Sequence, residues 1–205
     1  MLKLFYAPQS CALASHIALQ EAGAAYEAVR VDFASGEQRK ADYLKVNPKG
    51  RVPALLTDRG ILTETPAILF YIAQTHPKAE LAAQDDPFET GRLQAFTSYL
   101  CSTVHVAHAH RMRGYRWADD EASFADMKRK VPQTVGACFD LIEQEMFAGP
   151  WVMGEKFSIA DPYLYTLATW LESDGIDPAQ FPKIADHRQR MSARPAVAKV
   201  NAAHN

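Results

Sequence analysis

The chain is poor in the features that mark several large classes of protein. Cysteine is scarce, with three in 205 residues. An odd number without metal-ligand spacing argues against a disulfide scaffold and for reduced thiols, hence a cytoplasmic location. No charge of one sign dominates: 22 Lys and Arg stand against 24 Asp and Glu, a formal net charge of −2. A protein that coats nucleic acid should be basic, so no nucleic-acid partner is expected. Long apolar runs are missing too. The longest, Ala67-Ile-Leu-Phe-Tyr-Ile-Ala73, falls well short of the roughly 20 residues that span a bilayer, so no membrane partner is expected either. The N-terminal Met-Leu-Lys-Leu-Phe-Tyr-Ala meets Pro8, Gln9 and Ser10 and reads as a strand, not as the apolar region of a signal peptide. Repeats and low-complexity tracts are absent. What is present is core material: 48% of residues are hydrophobic and 22% charged. The length suits one large domain or two small ones.

The first eighty residues alternate strand and helix signals. Lys3-Leu-Phe-Tyr6 is extended and closed by Pro8. A helix follows from Cys11 to about Ala22, with Leu13 and Ile17 one turn apart and Gly23 as its stop. Tyr26 to Val31 reads as a second strand, with imperfect alternation. A short helix, 39–46, ends before Asn47-Pro48, because a residue preceding proline is pushed out of the α region. Two apolar runs, Val52–Thr57 and Ile61–Thr63, flank Asp58-Arg-Gly60 and form a β-hairpin. Pro66 then opens a helix carrying Ile68, Tyr71, Ile72 and Thr75. Strands one and two should be parallel, with the hairpin antiparallel: a thioredoxin-like arrangement.

After Pro87 the strand signals stop. Helices are expected over 88–113, 122–147, 159–172 and 183–193, with a short one after Pro195. The expected organisation is α/β plus all-α: a thioredoxin-like domain (1–77), a linker (78–87) and a helical bundle (88–205).

Three local patterns carry chemistry. Ser10 and Cys11 lie where the first strand yields to a helix, a place of unpaired N–H groups and positive dipole. Such a place stabilises an anion, a thiolate included. The plain alternative is that Cys11 is a small helix-start residue. Val52-Pro53 stands at a turn-to-strand junction, either as a trans proline at a strand start or as a cis peptide offering the Val52 N–H and C=O to an extended peptide. Glu64 and Thr65 sit at a helix start, either as caps or as a polar anchor.

Together these elements resemble a bacterial beta-class glutathione S-transferase. The resemblance rests on Lys3-Leu-Phe-Tyr6, Ser10-Cys-Ala-Leu-Ala-Ser-His-Ile17, Val46-Asn-Pro-Lys-Gly-Arg-Val-Pro-Ala-Leu-Leu56 and Leu62-Thr-Glu64. Phe157-Ser-Ile-Ala-Asp-Pro-Tyr-Leu164 and Met191-Ser-Ala-Arg-Pro195 extend it, in order, over essentially the whole chain. It favours the cis form of Val52-Pro53. It implies glutathione as co-substrate, its cysteinyl part paired with Val52 beside Pro53 and its γ-glutamyl end on Glu64 and Thr65. It implies Cys11 facing the glutathione sulfur, Tyr6 and Ser10 as nearby hydroxyls, and His105 approaching from the helical domain. It also implies a homodimer.

Three positions depart from the family. Val106 stands where a lysine is usual, Ser98 where an asparagine is usual, and Asp32-Phe-Ala-Ser-Gly36 offers no basic residue. His105, His108 and His110 invite a metal reading, but a helix cannot aim all three one way, and no metal is expected. Arg111, Arg113 and Arg116, with Tyr115 and Trp117, form either a solvated basic helix end or an acceptor pocket for an aromatic or anionic electrophile. Ser158 and Asp161 form a capping box, ahead of a core face made by Leu164, Leu167, Ala168 and Leu171. Cys101 and Cys138 fall on apolar helix faces, as buried and inert thiols. The expected function is transfer of glutathione to hydrophobic electrophiles, a detoxifying reaction. The alternatives are glutathione-dependent thiol–disulfide exchange through Cys11 and a non-catalytic ligand carrier.

Overall fold

Strand β1 (Leu2–Tyr6) occupies the middle of a four-stranded sheet of order β2-β1-β3-β4. Its neighbour β2 (Tyr26–Arg30) is parallel, with Leu4 opposite Ala28. On its other side β3 (Ala54–Thr57) runs antiparallel and turns into β4 (Gly60–Thr63). This is the expected thioredoxin-like topology. The computed structural model describes residues 1–83 and 85–204. Gln84, inside the expected linker, and Asn205, at the end of the expected helical domain, lie outside the described residues.

Helix α1 (Ala12–Glu21) is buried along Ala12–Leu19. It is enclosed by the sheet, by α3 (Thr65–Thr75), and by α7 (Ala160–Ala168) and α9 (Pro195–His204) of the helical half. A helix covered on all sides needs no polar face, and Ala12, Ala14, Ser15 and Ala18 let its neighbours approach. Helix α2 (Ala41–Val46) is short, and its Tyr43 is buried.

Every element after α3 is helical. Asp86 caps α4 (Pro87–Tyr99), accepting from the Phe88 and Glu89 N–H groups at 2.9 and 3.2 Å. The single helix expected over 88–113 is interrupted by a π turn, Leu100–Val104, before α5 (His105–Arg113). A π turn inserts a residue and rotates whatever follows. A second π turn, Ile142–Met146, ends α6 (Glu121–Leu141) short of the expected 147. Helix α7 also stops early. Trp170 N–H bonds to Leu167 O and Leu171 N–H to Ala168 O, and this tightening leads to a turn that buries Asp174. All of α7 is buried, not one face alone.

Asp161 organises the start of α7. It accepts from the Ser158 N–H (2.7 Å), the Ser158 hydroxyl (3.2 Å), the Val152 N–H (2.9 Å) and His187 Nε2 (3.1 Å) of α8 (Pro182–Ala193). The Met191-Ser-Ala-Arg-Pro195 stretch has a structural task as well. Arg194 grips Glu21 at the end of α1 at 2.6 and 2.8 Å, and its guanidinium lies 4.1 Å from the Phe157 ring centroid.

Helix α9 is tied to α1 by a buried imidazole pair. His16 Nδ1 and His204 Nε2 are 3.0 Å apart, between the rings of Tyr6 and Tyr26. Burial depresses both to about 4, His16 being lowered further by Lys199 and His204 by His16. In an unfolded chain histidine titrates near 6.5, so the unfolded state takes up protons first as pH falls. The stability this neutral pair contributes is therefore full above about pH 6.5 and is lost progressively down through pH 4. His204→Gln should flatten that slope, and urea unfolding at pH 7 and 4.5 measures it.

Candidate active site

A cavity of about 1040 Å³ opens between one end of the sheet, where β1 and β4 finish and β3 begins, and the helical half. Ser10, Cys11, Val52, Pro53, Glu64, Thr65 and His105 all line it. A second hollow, about 830 Å³, runs along residues 77–93 and 153–158, and none of the candidate residues lines it.

Ser10 serves the backbone. Its hydroxyl donates to Ala7 O at 2.6 Å and accepts from the Ala12 N–H at 3.3 Å. Cys11 occupies the N-cap of α1 and is half-buried. Its thiol donates to Val52 O at 3.4 Å. Of the two readings of Cys11, a stabilised thiolate and a plain helix-start thiol, the surroundings favour the protonated thiol. Burial pushes the Cys11 thiol up and outweighs the Thr65 hydrogen bond and the Arg113 charge, which pull it down. The helix-start argument counted only the attraction of positive dipole for sulfur, whereas desolvation of the thiolate is the larger effect here.

The Val52-Pro53 peptide is cis. The loop before it is held by Asn47, whose Nδ2 donates to Arg51 O at 2.7 Å while its Oδ1 accepts from the Lys49 N–H at 3.1 Å. Tyr43 donates to the same Arg51 O at 2.7 Å. Gly50 has φ +60°, and a Cβ there would meet Gln38 O at 3.0 Å, so the turn in Asn47-Pro-Lys-Gly50 requires glycine. Among the described residues nothing bonds the Val52 N–H. A strand edge is therefore open beside Cys11. Glu64 is held at φ 73° and pairs with Lys49, whose ammonium also bonds the Thr63 hydroxyl at 2.7 Å. Thr65, at the first position of α3, is buried beside Cys11.

Two of the three histidines of α5, His105 and His108, line the cavity, and His110 does not. His105 faces the cavity, 5.2 Å from the Trp170 ring. Burial, aided by His108, Arg113, Arg51 and Arg116, lowers it to about 4, so it is neutral at pH 7. His108 stacks on Trp170 at 4.2 Å and bonds buried Asp174 at 2.8 Å, while His110 lies against Trp117 at 4.3 Å. Among the described residues no three His, Cys, Asp or Glu side chains converge as a metal set.

Tyr6 does not join the site. Successive side chains of a strand face opposite ways, and Tyr6 shares the α1-facing side of β1 with buried Leu4. Its hydroxyl donates to Ala203 O at 3.4 Å. Cys101 departs from expectation in the other direction: it is half-buried and lines the cavity, whereas Cys138 is buried. Sequence reasoning also missed Tyr163 and Trp170, which line the cavity from α7 and the turns after it. Their spacing is that of core residues, and nothing local marks them. The cavity is nonetheless lined by basic residues from elsewhere in the chain. Arg39, Lys49, Arg51, Arg113 and Arg116 all face the cavity.

A thioredoxin-like half presents a thiol and an open strand edge to a cavity closed over by helices. Two family models match the chain: "Glutathione S-transferase, N-terminal domain" over residues 1–74 and "Glutathione S-transferase, C-terminal domain" over residues 117–195. The chain belongs to the glutathione S-transferase family. A glutathione transferase homologue from Sulfitobacter, solved with bound glutathione, is 50% identical, with TM-score 0.96, covering 99% of this chain and 98% of that one. The beta-class glutathione S-transferase of Sphingomonas chungbukensis is 37% identical, with TM-score 0.86 and coverage of 99% and 98%. Glutathione S-transferase GstA of Escherichia coli O157:H7 is 33% identical over 202 residues, 96% of this chain and 95% of that protein.

Proposed function

We propose that the protein conjugates the glutathione thiol to hydrophobic electrophiles in the cytoplasm, as a homodimer. The observation that carries the reading is the juxtaposition of Cys11, the open Val52 edge and the Glu64–Thr65 corner in one cavity. In the proposed division of labour residues 1–77 hold glutathione and residues 88–205 form the acceptor pocket, joined by 78–87.

The glutathione cysteinyl unit pairs with Val52 as an added strand would. Its N–H takes Val52 O, the acceptor now used by the Cys11 thiol at 3.4 Å. The Cys11 S–H then turns to the incoming sulfur and donates to it, favouring the glutathione thiolate. Neutral His105 faces the same space. The Ser10 hydroxyl, bonded within the loop, shapes the helix start and does not donate to sulfur. The γ-glutamyl ammonium goes to Glu64 and its carboxylate to Thr65 and the N–H groups at the start of α3. The thiolate attacks the electrophile, a C–S bond forms, and the leaving group departs with its electron pair.

Mixing the protein with glutathione and 1-chloro-2,4-dinitrobenzene tests the reading by adduct formation. Absence of both adduct and glutathione affinity would sink it. Glu64→Gln should raise the KM for glutathione about 10- to 100-fold, the worth of one charged hydrogen bond. Its kcat at saturation should change much less. Size-exclusion chromatography with light scattering should find two chains per particle. The Cys11 thiol inside the cavity supports a second reading, glutathione-dependent thiol–disulfide exchange through a mixed disulfide.

A further inference from the structure

The charges around the cavity do not balance. Among the described residues five cations line it, Arg39, Lys49, Arg51, Arg113 and Arg116, against one carboxylate, Glu64. Glutathione as the thiolate carries two carboxylates, one ammonium and the sulfur charge, about −2 net. Positive charge is left over when it is bound.

Arg113 stands out among these groups. Five arginines of the chain are half-buried: Arg111, Arg113, Arg188, Arg190 and Arg194. Four of them reach a carboxylate, on Asp174, Glu172, Asp186 and Glu21 respectively. Arg113 reaches none among the described residues. A guanidinium withdrawn from water without a partner is costly, and its burial lowers its own pKa. It lies close enough to Cys11 that each shifts the other. It also projects from α5, in the helical half, whereas Val52, Glu64 and Thr65 belong to the opposite wall.

Aromatic rings share the cavity with it. Trp170 lines the cavity from the turns after α7, and Tyr115 and Trp117, 54% and 45% exposed, line it from the turn after α5. Exposed rings next to an unpaired cation suit a flat, negatively charged partner. We propose that the acceptor half of the cavity selects aromatic electrophiles bearing a carboxylate or similar anion, with Arg113 receiving the charge. This rests on the transferase reading above and names its substrate class. In the reaction the glutathione thiol loses its proton to solvent, its sulfur bonds to the ring carbon that carries the halide, and halide leaves with the bonding pair.

The test compares 3,5-dinitrobenzoate with 3,5-dinitrobenzamide, which share shape and differ in charge. Both quench nearby tryptophan, so fluorescence titration reads their affinities, with S-methylglutathione filling the thiol side. The native protein should bind the carboxylate at least tenfold more tightly than the amide. Arg113→Gln should bring that ratio to within about twofold of unity, and Arg113→Lys should retain most of it. The same ratios should appear in kcat/KM for 4-chloro-3,5-dinitrobenzoate against its amide. Equal affinities in the native protein, or a ratio untouched by Arg113→Gln, would overturn the proposal. So would an Arg113→Gln effect confined to the KM for glutathione, which would assign Arg113 to that ligand. If S-methylglutathione fails to bind while the carboxylate preference persists, the transferase reading falls and the anion site stands.

Discussion

Replacing Cys11 by serine should leave glutathione conjugation within about tenfold of the native rate and abolish glutathione-dependent disulfide reduction. The two activities ask different things of one side chain. Conjugation asks for a donor aimed at the glutathione sulfur. The Cys11 thiol meets that need because burial keeps it protonated, and a serine hydroxyl in its place is a donor too. Alanine is not, and Cys11→Ala should slow conjugation roughly 100-fold, the scale of losing one donor to a developing anion. Disulfide exchange asks for a sulfur that can form and break an S–S bond, which neither variant has. Initial rates with 1-chloro-2,4-dinitrobenzene and with a glutathione mixed disulfide separate the cases. Full conjugation by Cys11→Ala would remove the thiol from the mechanism. Undiminished disulfide reduction by Cys11→Ser would end the second reading.

The largest effect on stability is expected at Asp161. Its carboxylate is fully buried and holds two backbone N–H groups, a hydroxyl and the His187 ring. Asp161→Ala strands these donors in a dry interior, where each unmet donor costs on the order of 1–3 kcal/mol. The total should be about 3–5 kcal/mol, a large share of an ordinary domain's stability. Tm should fall by roughly 10 °C. Asp161→Asn keeps the volume and one acceptor and should lose about half as much. Thermal unfolding measures both, and a drop below about 1 kcal/mol in Asp161→Ala would contradict the network.

The parts of the fold that were legible in the sequence are those whose causes are local. Gly23, Asn47-Pro48, Asp58-Arg-Gly60 and Pro66 each punctuate the chain within a few residues of the element they bound. The corner made by Cys11, Val52-Pro53 and Glu64-Thr65 was legible for the same reason, since these are short motifs. Long helices were less so. A π turn keeps the chain helical and shifts the hydrophobic spacing by only one residue, so Leu100–Val104 reads in sequence as uninterrupted helix. That turn helps explain why Cys101, read as buried, faces the cavity. The resemblance implies a Tyr6 hydroxyl near Cys11, but nothing in the strand shows which side of β1 the ring takes, and it turns to Ala203 O. The Cys11 charge state stays open in the sequence because a helix start is visible there and the burial that opposes its effect is not. The basic residues of the cavity come from α5, from the turn that follows it and from the loops around α2, so their convergence exists only in the fold.

Glutathione diffused into crystals of the protein offers the most direct test of the central claim. The account predicts one molecule per chain, its cysteinyl backbone paired with Val52, its sulfur against Cys11 and its γ-glutamyl end on Glu64 and Thr65. An empty cavity at saturating glutathione, or a molecule bound with its sulfur away from Cys11, would contradict it.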